Sequence, residues 1–255
     1  MMRVVAFAGL GLVFGSFLTV VIHRVPRKES IVLPGSACPE CGVHIRARDN
    51  IPVISYLLLR GRCRSCGTRI SPEYPITEAL TAALFVAAGA AFRQVSVAAV
   101  VAPFLGVMLA CALIDARFRI IPHRIVFPSL ALFGAALIGV AVLTHEVSVL
   151  TGALGLLAYG GPLFLLAVLA EGAMGGGDVW LAALIGLVLG ALGLRYVLVA
   201  AMVAVLLGGL GSVVALARGA SRKDTIPFGP YMAGAAVVAA LFAPGIAGWY
   251  AGLAH

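Results

Sequence analysis

VSVAAVVAPFLGVMLACALID, residues 95–115, is an uncharged apolar run that ends on a carboxylate, Asp115. Further along, GGGD at 175–178 sets a second carboxylate, Asp178, at the head of another apolar run, 179–194. A carboxylate in or at the edge of a bilayer costs roughly 2.5 to 3.5 kcal/mol on insertion scales, so an acid placed there needs a compensating role. One acid closes its segment and the other opens its own. Where those two ends lie on the same side of a membrane, the acids can meet.

The rest of the chain supports a membrane setting. Of 255 residues, 62% are hydrophobic and 11% charged, with a mean hydropathy of +1.10, whereas soluble domains carry about 25% charge. Apolar runs long enough to span, at about 20 residues per crossing, occur at 4–22, 76–92, 95–114, 125–143, 147–170, 179–194, 196–217 and 231–253. The predicted fold is an all-α polytopic membrane protein of about eight transmembrane helices, the sixth being short, with a small cytoplasmic zinc-ribbon-like insertion between helices one and two. Residues 1–25 form the first helix, 26–75 the insertion and 76–255 a seven-helix membrane domain carrying both acids. Lys and Arg set the orientation: nine fall in 23–75, three in 115–124 and three in 218–224, leaving Arg3, Arg93 and Arg195 on the other side. The basic loops therefore face the cytoplasm and both termini face outward, with Asp115 and Asp178 at cytoplasmic helix ends. This topology accounts for the net charge of +8 without a nucleic-acid partner. No small-x-small cleavage site follows the first run, which reads as an uncleaved helix.

The insertion of 26–75 is too small to bury a core that is stable alone. It carries two CxxC knuckles, Cys38–Cys41 and Cys63–Cys66, each followed by a glycine, Gly42 and Gly67. Thiolates at this spacing close a tetrahedral site of four cysteines. Disulfides and redox chemistry compete, but a reducing compartment disfavours the first, and a redox CxxC normally comes singly. Structural zinc is the preferred expectation. The apolar segment 51–60 is too short to span; it packs on the zinc module or lies in the membrane interface. Cys111, deep in an apolar run, reads as a small buried hydrophobe.

Along the helices, Gly15, Ser16 and Thr19 make a small and polar stripe suited to close packing, and His23 sits at a boundary. Glu78 is explained by a helix N-terminus, which stabilises a nearby carboxylate, with a cavity-facing role as the alternative. The runs 125–143 and 147–170 are Gly- and Ala-rich packing helices, with Glu171 just beyond the second. Asp115 has a plain alternative as a salt-bridge partner of Arg117, Arg119 or Arg124. Three glycines before Asp178 permit positive φ and close backbone approach. They suit an extended peptide lying against bare backbone, its scissile bond over Asp178, although a flexible turn would use them too. IPFGP, 226–230, is a rigid turn or else a wall of the cavity.

GSFLTVVIHRVP (15–26), the paired CxxC motifs, SPEYPITEALTA (71–82), the Asp115 segment, GGGD and IPFGP stand in an order and at separations that resemble the type IV prepilin peptidase family. These are membrane aspartic proteases of the GxGD kind. The resemblance spans almost the whole chain. It implies removal of the short basic leader from prepilins and pseudopilins at the cytoplasmic face of the bacterial inner membrane, and N-methylation of the new terminus with S-adenosylmethionine. By the same resemblance Asp115 and Asp178 are the catalytic pair, Gly175 and Gly177 the GxGD glycines, and Cys38, Cys41, Cys63 and Cys66 the zinc ligands; with Gly176, the glycines are the expected substrate contacts. Five positions depart from the family's usual residues: Thr19, His23, Glu73, His123 and Trp180.

Two carboxylates in one site hold a single proton near neutral pH. The ionised one would then take a proton from water while the other hydrogen-bonds the scissile carbonyl. Two other classes compete. A transporter or proton channel would use Asp115 and Asp178 as a relay, but it leaves the cysteine module unexplained. A non-enzymatic scaffold organised by the zinc ribbon predicts that both acids are dispensable.

Overall fold

The computed structural model describes residues 1–170, 174–219 and 227–253, with side chains as far as Ile246; Glu171 and most of the last basic stretch, 220–226, lie outside the described residues. Eight long helices take up the eight apolar runs. They are α1 (Met2–Arg24), α3 (Glu73–Ala91), α4 (Val95–Phe118), α5 (His123–Thr144), α6 (Val149–Leu169), α7 (Gly176–Leu192), α8 (Leu194–Ala217) and α9 (Gly229–Leu253), with the five-residue α2 (Ile54–Leu58) inside the insertion. Among the described residues there is no strand, only isolated β-bridges between Ala37 and His44 and between Arg62 and Arg69. Seven of these helices are long and apolar enough to cross a membrane; α7, at 17 residues, is shorter.

The short helix survives in an apolar setting because protein, not lipid, surrounds it. At about 1.5 Å per residue it reaches about 25 Å, less than a hydrocarbon core of about 30 Å. From Leu181 to Ala191 only Leu187 is not buried. Helices in lipid gain little from hydrophobic burial against one another, so close packing of small residues holds them together. Gly155 of α6 and Gly186 of α7 supply it: a Cβ on either would run into the other's carbonyl oxygen, and one on Gly155 would lie 2.7 Å from the Gly190 Cα. Gly161, on the same helix, faces open space. Gly155→Leu should therefore lower the melting temperature of the detergent-solubilised protein by the equivalent of about 1–3 kcal/mol or more, with Gly161→Leu near wild type. Equal melting temperatures would contradict this packing.

The small stripe of α1 serves the same purpose against α3. A Cβ on Gly15 would lie 2.8 Å from the Glu78 Cα, and one on Gly11 would lie 2.6 Å from the Ala82 Cα. At the centre stands α4, with Phe104, Leu105, Met108 and Ile114 fully buried. It packs on α9, α3, α1 and α5, while α7 packs on α6, α5, α8 and α9. The ends of α4, α7 and α9 are brought together in this way.

Candidate active site

Asp115 lies one turn before the end of α4, and Asp178 lies in the first turn of α7. The chain leaves α4 through Arg119, which takes a left-handed conformation (φ 53°), and crosses to α5 through the buried Ile121. Ile121 rests on the head of α7. A Cβ on Gly177 would lie 2.8 Å from the Ile121 carbonyl oxygen and 2.9 Å from its Cβ. The glycine beside Asp178 is therefore bare because the α4–α5 connection occupies that space, and the contact draws the two acid-bearing ends together. None of Gly175, Gly176 and Gly177 takes the left-handed conformation that the sequence permitted. Gly175 caps α7 with its carbonyl, accepting the Asp178 N–H at 3.0 Å, and Gly176 faces open space.

Asp115 is 5% exposed and accepts a hydrogen bond at 3.0 Å from the backbone N–H of Gly229, the first residue of α9. Asp178 is half-buried, next to the Gly177–Ile121 contact that joins the head of α7 to the end of α4. Among the described residues neither acid forms an ion pair. Arg117, one of the three candidate partners for Asp115, instead pairs with Glu73 at 2.8 Å. Two carboxylates, one oriented by a buried backbone donor, can share a proton and activate a water between them. The Phe228–Gly229 turn, offered by the sequence as a cavity wall or a mere turn, supplies that donor. Its only local signal was a glycine between two prolines. Since the Arg117–Glu73 pair is partly exposed and worth under about 1 kcal/mol, Arg117→Gln should leave activity within a few fold of wild type. A loss comparable to that of an Asp variant would mean that Arg117 serves Asp115 after all.

Around the pair, His123 stacks on Phe127 with ring centres 5.0 Å apart, and Phe127 meets Trp180 edge-on at 4.9 Å. Thr19 donates to the Ser16 carbonyl at 2.7 Å, and His23 stacks on Tyr74 at 5.3 Å. Glu78 corrects its expected explanation. It lies in the second turn of α3, beyond the N-terminal turn, is buried, and accepts the backbone N–H of Val53 at 2.7 Å. A carboxylate in the membrane helix thus holds the insertion to the helical body.

In the insertion the two knuckles are near copies. Cys38 N–H donates to the Val43 carbonyl and Gly42 N–H to the Cys38 carbonyl; Cys63 to Thr68 and Gly67 to Cys63 repeat the pattern. Gly42 and Gly67 both adopt positive φ, 70° and 73°, as the turns require. The four sulfurs of Cys38, Cys41, Cys63 and Cys66 lie within 4.8 Å of one another. Cys38 and Cys66 are 3.8 Å apart, far beyond a disulfide bond and matching the ~3.8 Å edge of a tetrahedron with ~2.3 Å metal–sulfur bonds. The donor set therefore fits a tetrahedral thiophilic cation. Backbone N–H groups of Cys66 and Ser65 bring the Cys63 thiol down to about 7. The Thr68 N–H acts in the same direction on Cys66, but burial and the neighbouring sulfurs outweigh it and push that thiol up to about 12. Crowded sulfurs of this kind call for a cation to balance four thiolates. Cys111 is fully buried in α4, as expected of a small hydrophobe.

The geometry agrees with what known proteins resemble this chain. Residues 10–92 match the Bacterial Peptidase A24 N-terminal domain, and residues 102–213 match the Type IV leader peptidase family. A protein of Bacillus subtilis named prepilin leader peptidase/N-methyltransferase is 34% identical over 242 residues, 94% of each chain. One of the same name from Dichelobacter nodosus is 33% identical over 257 residues, 89% of this chain and 87% of that one. The type 4 prepilin-like proteins leader peptide-processing enzyme of Escherichia coli O78:H11 is 36% identical over 207 residues, 72% of this chain and 76% of that one. No solved structure matches. With relatives of this identity aligned almost end to end, the chain belongs to the type IV leader peptidase family.

Proposed function

We propose that this protein is a membrane aspartic endopeptidase of the bacterial inner membrane that removes the leader from prepilins and pseudopilins at the cytoplasmic face and then methylates the new N-terminus. Two contacts support the reading: the Gly229 N–H on Asp115, and the packing of the α7 head, through Gly177 beside Asp178, on Ile121 just after the end of α4. The pair carries one proton. The ionised carboxylate takes a proton from water as the water oxygen attacks the scissile carbonyl carbon, and the protonated one hydrogen-bonds the carbonyl oxygen. Collapse of the tetrahedral intermediate breaks the C–N bond, the amine leaves with a proton from the pair, and a carboxylic acid and a free N-terminus result. Gly175, Gly176 and Gly177 offer bare backbone for the extended peptide. S-adenosylmethionine enters as a second substrate: the new amine, having lost its proton, takes the methyl group as the S–CH3 bond breaks, and S-adenosylhomocysteine leaves.

Cys38, Cys41, Cys63 and Cys66 hold a structural zinc ion that takes no part in hydrolysis. Cys63→Ser should reduce bound zinc from one ion per chain to well below that, and should render the insertion sensitive to protease. Metal analysis finding no zinc in folded wild type would remove the zinc assignment while leaving the peptidase reading intact. The function itself is tested by incubating the purified protein with a prepilin and S-adenosylmethionine and weighing the product. Loss of the leader with gain of one methyl group is expected. An unchanged prepilin refutes the peptidase, and a cleaved but unmethylated product refutes the second activity alone.

A further inference from the structure

Between α2 and the start of α3 lies a cleft of about 570 Å³ whose lining includes Tyr56, Arg60, Arg62, Arg69, Ser71 and Pro72. No carboxylate lines it, and the three arginines are exposed and, among the described residues, in no ion pair. Beside it, α2 turns Ile54, Leu57 and Leu58 outward, with Leu57 67% and Leu58 76% exposed. A patch that is apolar on one side and purely cationic on the other is poorly suited to water. It matches the boundary of an anionic bilayer, where apolar side chains enter the acyl edge and guanidinium groups bind phosphate.

The depth of the patch agrees. Val53, just before α2, donates its N–H to Glu78, which lies five residues, or about 7.5 Å, further along α3 than Glu73. The start of α2 is thus held level with the first turns of a membrane helix. A second apolar loop, Ile31–Val32–Leu33, is also exposed and is fixed to the end of α1 by Arg24, whose guanidinium donates to the Ser30 and Pro34 carbonyls.

We infer that residues 54–62, with Arg69, form an interfacial anchor that lays the four-cysteine insertion against anionic phospholipid. Ile54, Leu57 and Leu58 enter the headgroup–acyl boundary, and Arg60, Arg62 and Arg69 bind lipid phosphates. The anchor keeps the insertion flat on the membrane beside the helix ends that carry Asp115 and Asp178, and it does not depend on what those acids do.

The test uses the full chain in nanodiscs of phosphatidylcholine, with or without phosphatidylglycerol, and Leu57→Trp as a reporter read against the wild-type tryptophan background. Bromine-labelled acyl chains should quench the new tryptophan, and phosphatidylglycerol should increase the quenching. With each arginine near an anionic surface contributing roughly fivefold, adding Arg60→Gln, Arg62→Gln and Arg69→Gln should reduce the docked-to-undocked ratio by roughly a hundredfold, and three lysines in their place should restore most of it. Should the triple Gln variant fail to fold, the lipid series on Leu57→Trp alone decides. An unquenched tryptophan in both bilayers, or quenching indifferent to phosphatidylglycerol, overturns the anchor. So does shielding of the reporter by an added acidic peptide and not by lipid, which would assign the surface to a protein partner.

Discussion

Asp115→Asn and Asp178→Asn should each abolish cleavage of a prepilin, by on the order of 10⁴-fold or more, while the protein still inserts and keeps its melting temperature within a few degrees. The amide is isosteric but can neither take a proton from water nor share one with its neighbour. General acid–base catalysis alone is worth about 10²–10⁴-fold, and groups acting as a unit lose nearly everything when one is removed. The double variant should accordingly be no worse than either single one. Rates of leader removal by gel shift, with thermal melts in the same detergent, check both halves. Cleavage at the wild-type rate in Asp178→Asn would dissolve the pair, and additive losses in the double variant would mean that the acids act separately.

Gly229→Ala comes next, with a loss of about 100-fold expected in rate and about 1–3 kcal/mol in stability from the broken buried hydrogen bond. A Cβ there would lie 2.6 Å from Asp115 Oδ2, 3.0 Å from Cγ and 3.1 Å from Cβ. The carboxylate must rotate away and release the N–H that orients it. Misplacing a catalytic group by about 1 Å costs about 10²-fold, and alanine at the first position of a helix is otherwise well tolerated. The loss should appear in kcat more than in KM, because the methyl group displaces a reacting side chain and not the bound peptide. A variant with wild-type kcat would show that the Gly229–Asp115 contact is incidental to the chemistry.

Both variants probe a site only half legible in the sequence. The helices were readable because lipid demands long apolar runs, and all eight runs became helices. The acids stood out by their cost in hydrocarbon, and the cysteines by a paired spacing that suits a four-thiolate metal site better than disulfides or redox chemistry. What the sequence withheld was pairing at long range. Gly229 is 114 residues from Asp115, and nothing local in either segment states that they touch. Glu78 was assigned to a helix N-terminus because its nearest neighbours suggested no other partner; Val53, 25 residues earlier, became visible only once the insertion had folded back on α3. Gly177 was read as allowing positive φ or a close backbone approach; the approach is what occurs, but the approaching backbone is that of Ile121, 56 residues away in the chain.

The five departures from the usual family residues also make sense only in three dimensions. Thr19, His23 and Glu73 line one small cavity with Tyr74 and Arg117, and His123 and Trp180 flank Phe127. Each departure sits beside another, so the changes fall into two local clusters at the same end of the molecule as the acids. A single sequence read in order cannot show such neighbours.

The decisive measurement is the intact mass of a prepilin after incubation in detergent, without any ion gradient and in ¹⁸O-enriched water, with purified wild type and with the Asp115→Asn/Asp178→Asn double variant in parallel. Two carboxylates sharing one proton and activating water predict that wild type releases a leader carrying a single ¹⁸O in its new carboxyl group and that the double variant leaves the prepilin whole. Cleavage by the double variant, or an intact prepilin in the wild-type reaction, would contradict it.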